Sequence, residues 1–280
     1  VIVSVNYDQE SSKRLHRLKQ ALEEEPYSSS SPFCLTGPQI WSAEINEYLT
    51  SFNQIKRYIQ NGDCYQVNLA LQMTADVQGD GWNLYKALRQ DNPAPYSAFL
   101  DLPGLQVASC SPEQFIEVEQ NNVTTRPIKG TTHRSPNSEL DRQLANSLKQ
   151  CSKNRAENLM IVDLLRNDLG RCCQIGSIQV DKLFEIKSIE GLHHMVSTIS
   201  AKLPSQCSPV QLLRSCFPGG SITGAPKIRA MEIIEALEPC RRKVYCGSIG
   251  YIGFNGNMNT NIAIRTATIQ GAVAGYGREQ

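Results

Sequence analysis

Residues 96–126 read YSAFLDLPGLQVASCSPEQFIEVEQNNVTTR, and this stretch decides the fold class. Runs of aromatic and branched residues are broken by Pro103-Gly104 and Asn121-Asn122, so it predicts three or four short consecutive strands. Downstream, Ser138 to Asn167 predicts helix, in two pieces broken near Cys151. Ser177–Ile186 and His194–Leu203 alternate as strands, and Pro209–Cys216 reads as a helix. A Gly-rich loop precedes a helix over Ala225–Leu237, and Tyr245–Phe254 with Asn259–Ile269 predicts a hairpin around Asn255-Gly256. Upstream lie a short helix (Trp82–Arg89), a strand with one wet face (Tyr65–Leu71) and a helix over Trp41–Gln60 stopped by Asn61-Gly62. Gln9–Pro38 is polar and Ser-rich and reads as a linker or mobile loop. Strands and helices come in blocks rather than alternating. That predicts an α+β fold of antiparallel sheets packed with helices, not a doubly wound sheet or a TIM barrel.

The 280 residues are ample for a real core. Hydrophobic residues make up 40% and charged residues 20%, with a net charge of +1 and both signs mixed along the chain, so no nucleic-acid or membrane partner is expected. No apolar run is long enough to span a bilayer, and the opening VIVSVNYDQESSKR lacks signal-peptide order. It also lacks an initiator Met and starts in a strand-like run, which hints at an upstream part. The ten cysteines form no C-x-x-C pair and read as reduced thiols of a cytoplasmic protein.

Several segments carry chemistry. Phe217-Pro-Gly-Gly-Ser-Ile-Thr-Gly-Ala-Pro-Lys227 places Ser221 and Thr223 before a helix, where free N–H groups favour an anion or where the hydroxyls merely cap. Lys227 follows Ala-Pro, so this is not a Walker A loop. In RAENLMIVDLLRND (155–168) the middle is apolar almost all round, predicting a largely buried helix. Glu157 at its head is either an Mg²⁺ ligand or the partner of Arg155 or a nearby Lys. Lys129, in Arg126-Pro-Ile-Lys-Gly-Thr131, is either an activated amine or a snorkelling surface lysine. Glu113 is a general acid or base if buried, and a solvated carboxylate otherwise. His193-His194 precedes a strand. Arg265, among aliphatic neighbours, needs a carboxylate that a substrate could supply. Together these residues suit a small polyanion, a divalent metal, an activated lysine and a carboxylate.

The segments GDCYQVNLAL, NPAPYSAF, SPEQF, RPIKGT, RAENLMIVDLLRNDLGR, HHMVST, FPGGSITGAPKIRAMEIIEALEP and YCGSIGYIGFNGNMNTNIAIRT occur in this order from about Trp41 to Thr266. So ordered, the chain resembles the chorismate-utilising enzymes. Within that family the anthranilate-forming branch carries Ala in the PIxGT motif; Lys129 instead resembles the branch that makes 4-amino-4-deoxychorismate, on the way to p-aminobenzoate and folate. The resemblance implies that Lys129 attacks C2 of chorismate with loss of the C4 hydroxyl, and that ammonia then attacks C4 and displaces the lysine from C2. By position it implies Glu113 as general acid/base, Glu157 as Mg²⁺ ligand and His194 beside the ring. It likewise places Arg265 and Tyr245 on the enolpyruvyl carboxylate, with Gly130, Thr131 and Ser221 adding contacts near the two carboxylates. A nucleophilic lysine must be neutral, so burial is expected to lower its pKa. No cysteine sits in a G-x-C-x-G elbow, so a partner glutaminase subunit is implied as ammonia source.

The chain departs from the family pattern at its ends. After Arg265 the family continues into a Gly-Gly-Gly segment and a second metal-binding glutamate, whereas this chain reads AVAGYGREQ. Residues 1–40 are expected to be an N-terminal remnant and linker, and 41–280 a chorismate-binding domain truncated at its C-terminus, as in a fragment. NPAPYSAF matches part of a tryptophan pocket found in some relatives. An anthranilate-forming enzyme and a non-catalytic remnant are the competing expectations.

Overall fold

The computed structural model describes residues 9–23, 31–189, 191–271 and 273–279. The strand-like opening run and Ser28–Ser30 lie outside the described residues. In chain order come α1 (Gln9–Glu23), β1 (Cys34–Leu35), β2 (Ile40–Trp41), α2 (Ile45–Gln60), β3 (Gln66–Val67), β4 (Ala70–Gln78) and α3 (Gly81–Asp91). Five consecutive strands follow: β5 (Tyr96–Leu102), β6 (Leu105–Ser111), β7 (Gln114–Glu119), β8 (Asn122–Arg126) and β9 (Ile128–His133). After them come α4 (Ser138–Gln150), α5 (Ser152–Gly170), β10 (Gln179–Ile189), β11 (Leu192–Lys202) and α6 (Pro209–Cys216). A 3-10 turn (Gly220–Ile222), β12 (Gly224–Ala225), α7 (Lys227–Leu237), β13 (Gly250–Ile252), β14 (Met258–Asn261), β15 (Thr266–Gln270) and β16 (Val273–Glu279) complete it.

Two antiparallel seven-stranded sheets result. Sheet one runs β1-β4-β16-β15-β6-β5, with β2 also on β4; sheet two runs β10-β11-β8-β7-β14-β13, with β9 also on β11. The expected α+β architecture is present. The 96–126 stretch yields four strands, but they divide: β5 and β6 belong to sheet one, β7 and β8 to sheet two. The chain passes between the sheets at Ser111–Glu113, and again at Ile262–Arg265 between β14 and β15. These crossings are tied together. Ser111 Oγ donates to the Ile262 carbonyl at 2.6 Å, the Ile262 N–H to the Glu113 carbonyl at 3.1 Å, and the Cys110 N–H to the Arg265 carbonyl at 3.0 Å. The expected hairpin at 245–269 is therefore only half right. Its turn at Asn255-Gly256 joins β13 and β14, but the second run splits at this corner and continues in sheet one. Period-2 alternation cannot register which sheet a strand joins.

The main core lies where α5 and α6 cover sheet two, with Ile161, Val162, Leu165 and Leu169 of α5 against Phe115, Ile116, Ile199, Leu212 and Ile262. The buried face of α5 is Asn158, Ile161, Val162, Leu165, Asp168 and Leu169, an i, i+3, i+4 stripe. This corrects the reading of an all-round buried helix: Leu159 is 44% exposed, and Asp163 and Arg166 pair on the outer face at 2.9 Å. A smaller core seats α3 on sheet one, where Trp82 and Tyr85 meet Phe99 at ring-centroid distances of 5.2 and 5.6 Å. Residues 9–23 are helical where polarity suggested a linker; the segment holds no Gly or Pro and is rich in Lys, Arg, Gln and Leu, all good helix formers. Tyr65–Leu71 is broken at Asn68 because β3 leaves to pair with β12. Among the described residues no helix is long and apolar enough to cross a membrane.

Candidate active site

Lys129 and Thr131 reach the site on β9, which pairs with β11 so that Thr131 stands opposite His194 and Ile128 opposite Val196. The ladder is irregular between those pairs, opposite Lys129 and Gly130. Such irregularities re-aim a side chain out of the pleat. Lys129 Nζ donates to the Ser221 carbonyl at 2.9 Å, and Asn68 Nδ2 donates to the same oxygen at 2.6 Å. Lys129 is half-buried, with its amine held on a backbone carbonyl. Gly130 has φ +92, and a Cβ there would stand 3.0 to 3.1 Å from the Asn154 side chain. Its lack of a side chain lets β9 lie on the first turn of α5.

His194 is buried, and its Nδ1 shares a 2.9 Å hydrogen bond with Thr131 Oγ1. Burial, with the charges of Arg265 and His193 adding to it, holds the imidazole below the usual histidine range, so the neutral ring is favoured. His193 is structural: Nε2 meets Asp141 Oδ1 at 3.0 Å and Nδ1 meets Ser188 Oγ at 2.8 Å. Asp141 also takes the Arg134 guanidinium and the Ser135 N–H, which hold its carboxyl down at about 2.

The strip from Phe217 to Lys227 is clamped rather than poised as a capped helix start. Cβ atoms at Gly219 and Gly220 would sit 2.5 Å from Ile262 and 2.1 Å from Leu164, so this turn is pressed between the sheet corner and α5. Thr223 Oγ1 donates back to the Gly219 carbonyl at 3.0 Å. The residue before α7 is Pro226, which makes no side-chain cap, so neither Ser221 nor Thr223 caps the helix. Lys227 Nζ reaches Asp168 Oδ2 at 2.5 Å and the Cys216 carbonyl at 2.7 Å. Burial pushes the Asp168 carboxyl up, against the pull of Lys227. Arg242 donates to the Ile222 and Asn68 carbonyls and grips Glu238, whose carboxylate also receives the Ala70 N–H. Burial works against its charge, yet the Glu238 hydrogen bonds prevail and the guanidinium holds its proton more firmly than usual. Sequence reading missed both anchors. The signal for Asp168 was its place in the buried stripe of α5; nothing local marked Arg242 or Glu238.

Glu113 is buried at the sheet corner, its N–H on Ser111 Oγ at 3.2 Å, so it is not a solvated carboxylate. Arg265 is half-buried on the second crossing with φ +50, a backbone state uncommon outside glycine, and no ion pair joins it to a carboxylate among the described residues. Tyr245 is buried and borders two cavities, of about 350 and 500 Å³, on either side of the Arg241–Lys243 turn. Lys129, Glu113, Glu157, His194 and Arg265 line neither cavity. Glu157 lies one turn beyond Asn154 at the head of α5, with Lys153 Nζ 3.9 Å from its Oε1. Among the described residues no three His, Cys, Asp or Glu side chains converge to hold a metal. A single accessible carboxylate with so loose a partner still fits magnesium, which is commonly held by one or two carboxylates plus water and substrate oxygens.

Residues 2–277 match the chorismate binding enzyme family. The chain is 50% identical over 247 residues to aminodeoxychorismate synthase component 1 of Escherichia coli (strain K12), an overlap spanning 88% of this chain and 54% of that protein. It is 49% identical over 249 residues to aminodeoxychorismate synthase component 1 of Klebsiella aerogenes, spanning 88% and 55%. The solved anthranilate synthase component I from Streptococcus pneumoniae TIGR4 superposes with a TM-score of 0.85 at 32% identity, covering 98% of this chain and 61% of that one. The chain thus spans about half the length of the curated relatives it matches. With the ordered motifs, the paired sheets and this match across nearly every residue, the chain belongs to the chorismate binding enzyme family.

Proposed function

We propose that this chain carries the chorismate-aminating site of an aminodeoxychorismate synthase, taking ammonia from a separate glutaminase subunit and leaving pyruvate attached to the ring. The observation that carries the reading is Lys129. Its amine is half-buried on the Ser221 carbonyl, in a chain whose relatives of about 50% identity bear that enzyme's name. A neutral amine that donates one N–H to a carbonyl keeps its lone pair free for attack.

Lys129 Nζ would form a bond to C2 of chorismate as the ring double bond shifts and the C4 oxygen leaves. Glu113 would give the proton that lets that oxygen depart as water. Ammonia would then bond to C4, the double bond would shift back, and the Lys129 amine would leave. His194, kept neutral, would orient the ring region through its pairing with Thr131, and Gly130 and Ser221 would border the carboxylates. Arg265, with no protein carboxylate to neutralise it among the described residues, would take the enolpyruvyl carboxylate, with Tyr245 beside it. Glu157 would supply an oxygen ligand to Mg²⁺, whose charge offsets that of the ring carboxylate.

The test is product analysis of the complete protein with chorismate, Mg²⁺ and ammonium. 4-Amino-4-deoxychorismate is expected, and its formation should fall by at least ~10³-fold in Lys129→Ala, the scale of losing an activated nucleophile. Anthranilate as the main product, or undiminished turnover in Lys129→Ala, overturns the reading.

A further inference from the structure

Away from Lys129 and its neighbours, two thiols meet. Cys172 lies in the turn that ends α5, and Cys207 in the turn that starts α6. Their sulfurs are 2.8 Å apart. Each backbone is already fixed locally: the Cys172 N–H donates to the Leu169 carbonyl at 3.1 Å, and the Cys207 N–H to the Pro204 carbonyl at 2.9 Å. Both side chains are half-buried against the main core, so a small reagent can reach them. The neighbouring Cys173 is buried in that core, where burial, with the Cys172 and Cys207 thiols adding to it, pushes its own thiol up to about 12.

A metal does not suit this pair. Two thiolates on a tetrahedral zinc stand ~3.8 Å apart, from Zn–S bonds of ~2.3 Å. Here the sulfurs are closer, and among the described residues no third ligand joins them. A disulfide suits it better: the sulfurs need approach by under ~1 Å to reach bonding distance.

We propose that Cys172 and Cys207 are a redox modification site, closing reversibly to a disulfide by exchange with a low-molecular-weight disulfide such as oxidised glutathione. One thiolate of the pair attacks a glutathione sulfur and expels one glutathione thiolate. The other then attacks the resulting mixed disulfide and expels the second. Two protein thiols lose two protons and two electrons, and the glutathione disulfide becomes two thiols. The residues are 35 positions apart. The closed loop encloses β10 and β11, and therefore His194, and ties the end of α5 to the helix that leads into Gly219-Gly220-Ser221. Oxidation would stiffen the framework on which both the α5 head and the Ser221 turn are mounted.

The test is equilibration of the whole chain in glutathione redox buffers at pH 8.5, chosen because burial pushes the Cys207 thiol up to about 11. Acid quenching, alkylation and peptide mass mapping follow. The expected result is a loss of two hydrogens located to a Cys172–Cys207 bridge and reversed by dithiothreitol, with Cys64, Cys110, Cys173, Cys216 and Cys246 still thiols. Closure should raise Tm by roughly 5–10 °C, and Cys172→Ser and Cys207→Ser should each abolish that rise. The wild-type mass map reads the outcome even if a variant folds poorly. Both residues remaining alkylatable under oxidising buffer, a glutathione adduct that never closes, or a bridge using Cys34, Cys151 or Cys240 instead would each overturn the proposal.

Discussion

The two ends of α5 carry carboxylates in opposite circumstances. At the head, Glu157 is 32% exposed and its nearest cation, Lys153, is 81% exposed and 3.9 Å away. At the tail, Asp168 and Lys227 are 4% and 12% exposed and 2.5 Å apart, with the lysine also on the Cys216 carbonyl. The tail pair is saturated and ties α5 to the start of α7. The head carboxylate keeps only a loose partner, which leaves it available for the proposed magnesium. A spare carboxylate is tolerable where water reaches it and costly where it does not.

The largest expected effect lies at the tail. Asp168→Asn leaves a buried lysine without its counter-ion and should cost about 3–5 kcal/mol in urea unfolding. A loss no larger than that of a surface substitution would remove the distinction between the two ends. Next is Gly130→Ala, which forces a side chain onto Asn154 at φ +92 and should cost about 1–3 kcal/mol while displacing Lys129. If Gly130→Ala keeps full stability and turnover, the α5 head is not tightly seated against β9. Glu157→Gln should change stability by less than about 0.5 kcal/mol, since exposed pairs contribute little. It should nonetheless raise the magnesium concentration needed for half-maximal amination by on the order of tenfold. An unchanged magnesium titration would show that the head carboxylate is not a ligand.

Acid titration gives the finest contrast. Asp141, held at about 2, contributes stability that is present above the ordinary carboxylate value of ~3.9 and is lost as pH falls through about 2. Asp168, raised by burial, behaves oppositely: its folded form takes up a proton first, so its contribution to stability grows as pH falls from its folded value towards the ordinary one. Acid unfolding of Asp141→Asn should therefore lose the low-pH slope that the unsubstituted chain shows. An unaltered slope would remove Asp141 from that role.

Much of this was legible before folding. Helix stops such as Asn61-Gly62, the break near Cys151 and the 209–216 helix act within a few residues, so local chemistry specifies them. Lys129 meets the Ser221 carbonyl, His194 meets Thr131 and Glu113 lies in a buried corner, all residues singled out by motif and residue type. The division of 96–126 between two sheets was not legible, because alternation reports a face and not a neighbour. Nor were the anchors Lys227–Asp168 and Arg242–Glu238 around the Ser221 turn, or the half-buried sides of α5.

By itself, the order of residues determined the α+β class, most element boundaries and the set of chemically capable side chains, since all of these depend on short-range propensity and composition. The tertiary structure alone decided which of two histidines faces Thr131, which carboxylate is sealed and which is left open, and which pair of ten cysteines comes into contact. Those outcomes depend on burial and on distances between segments far apart in the chain, and no local pattern encodes either.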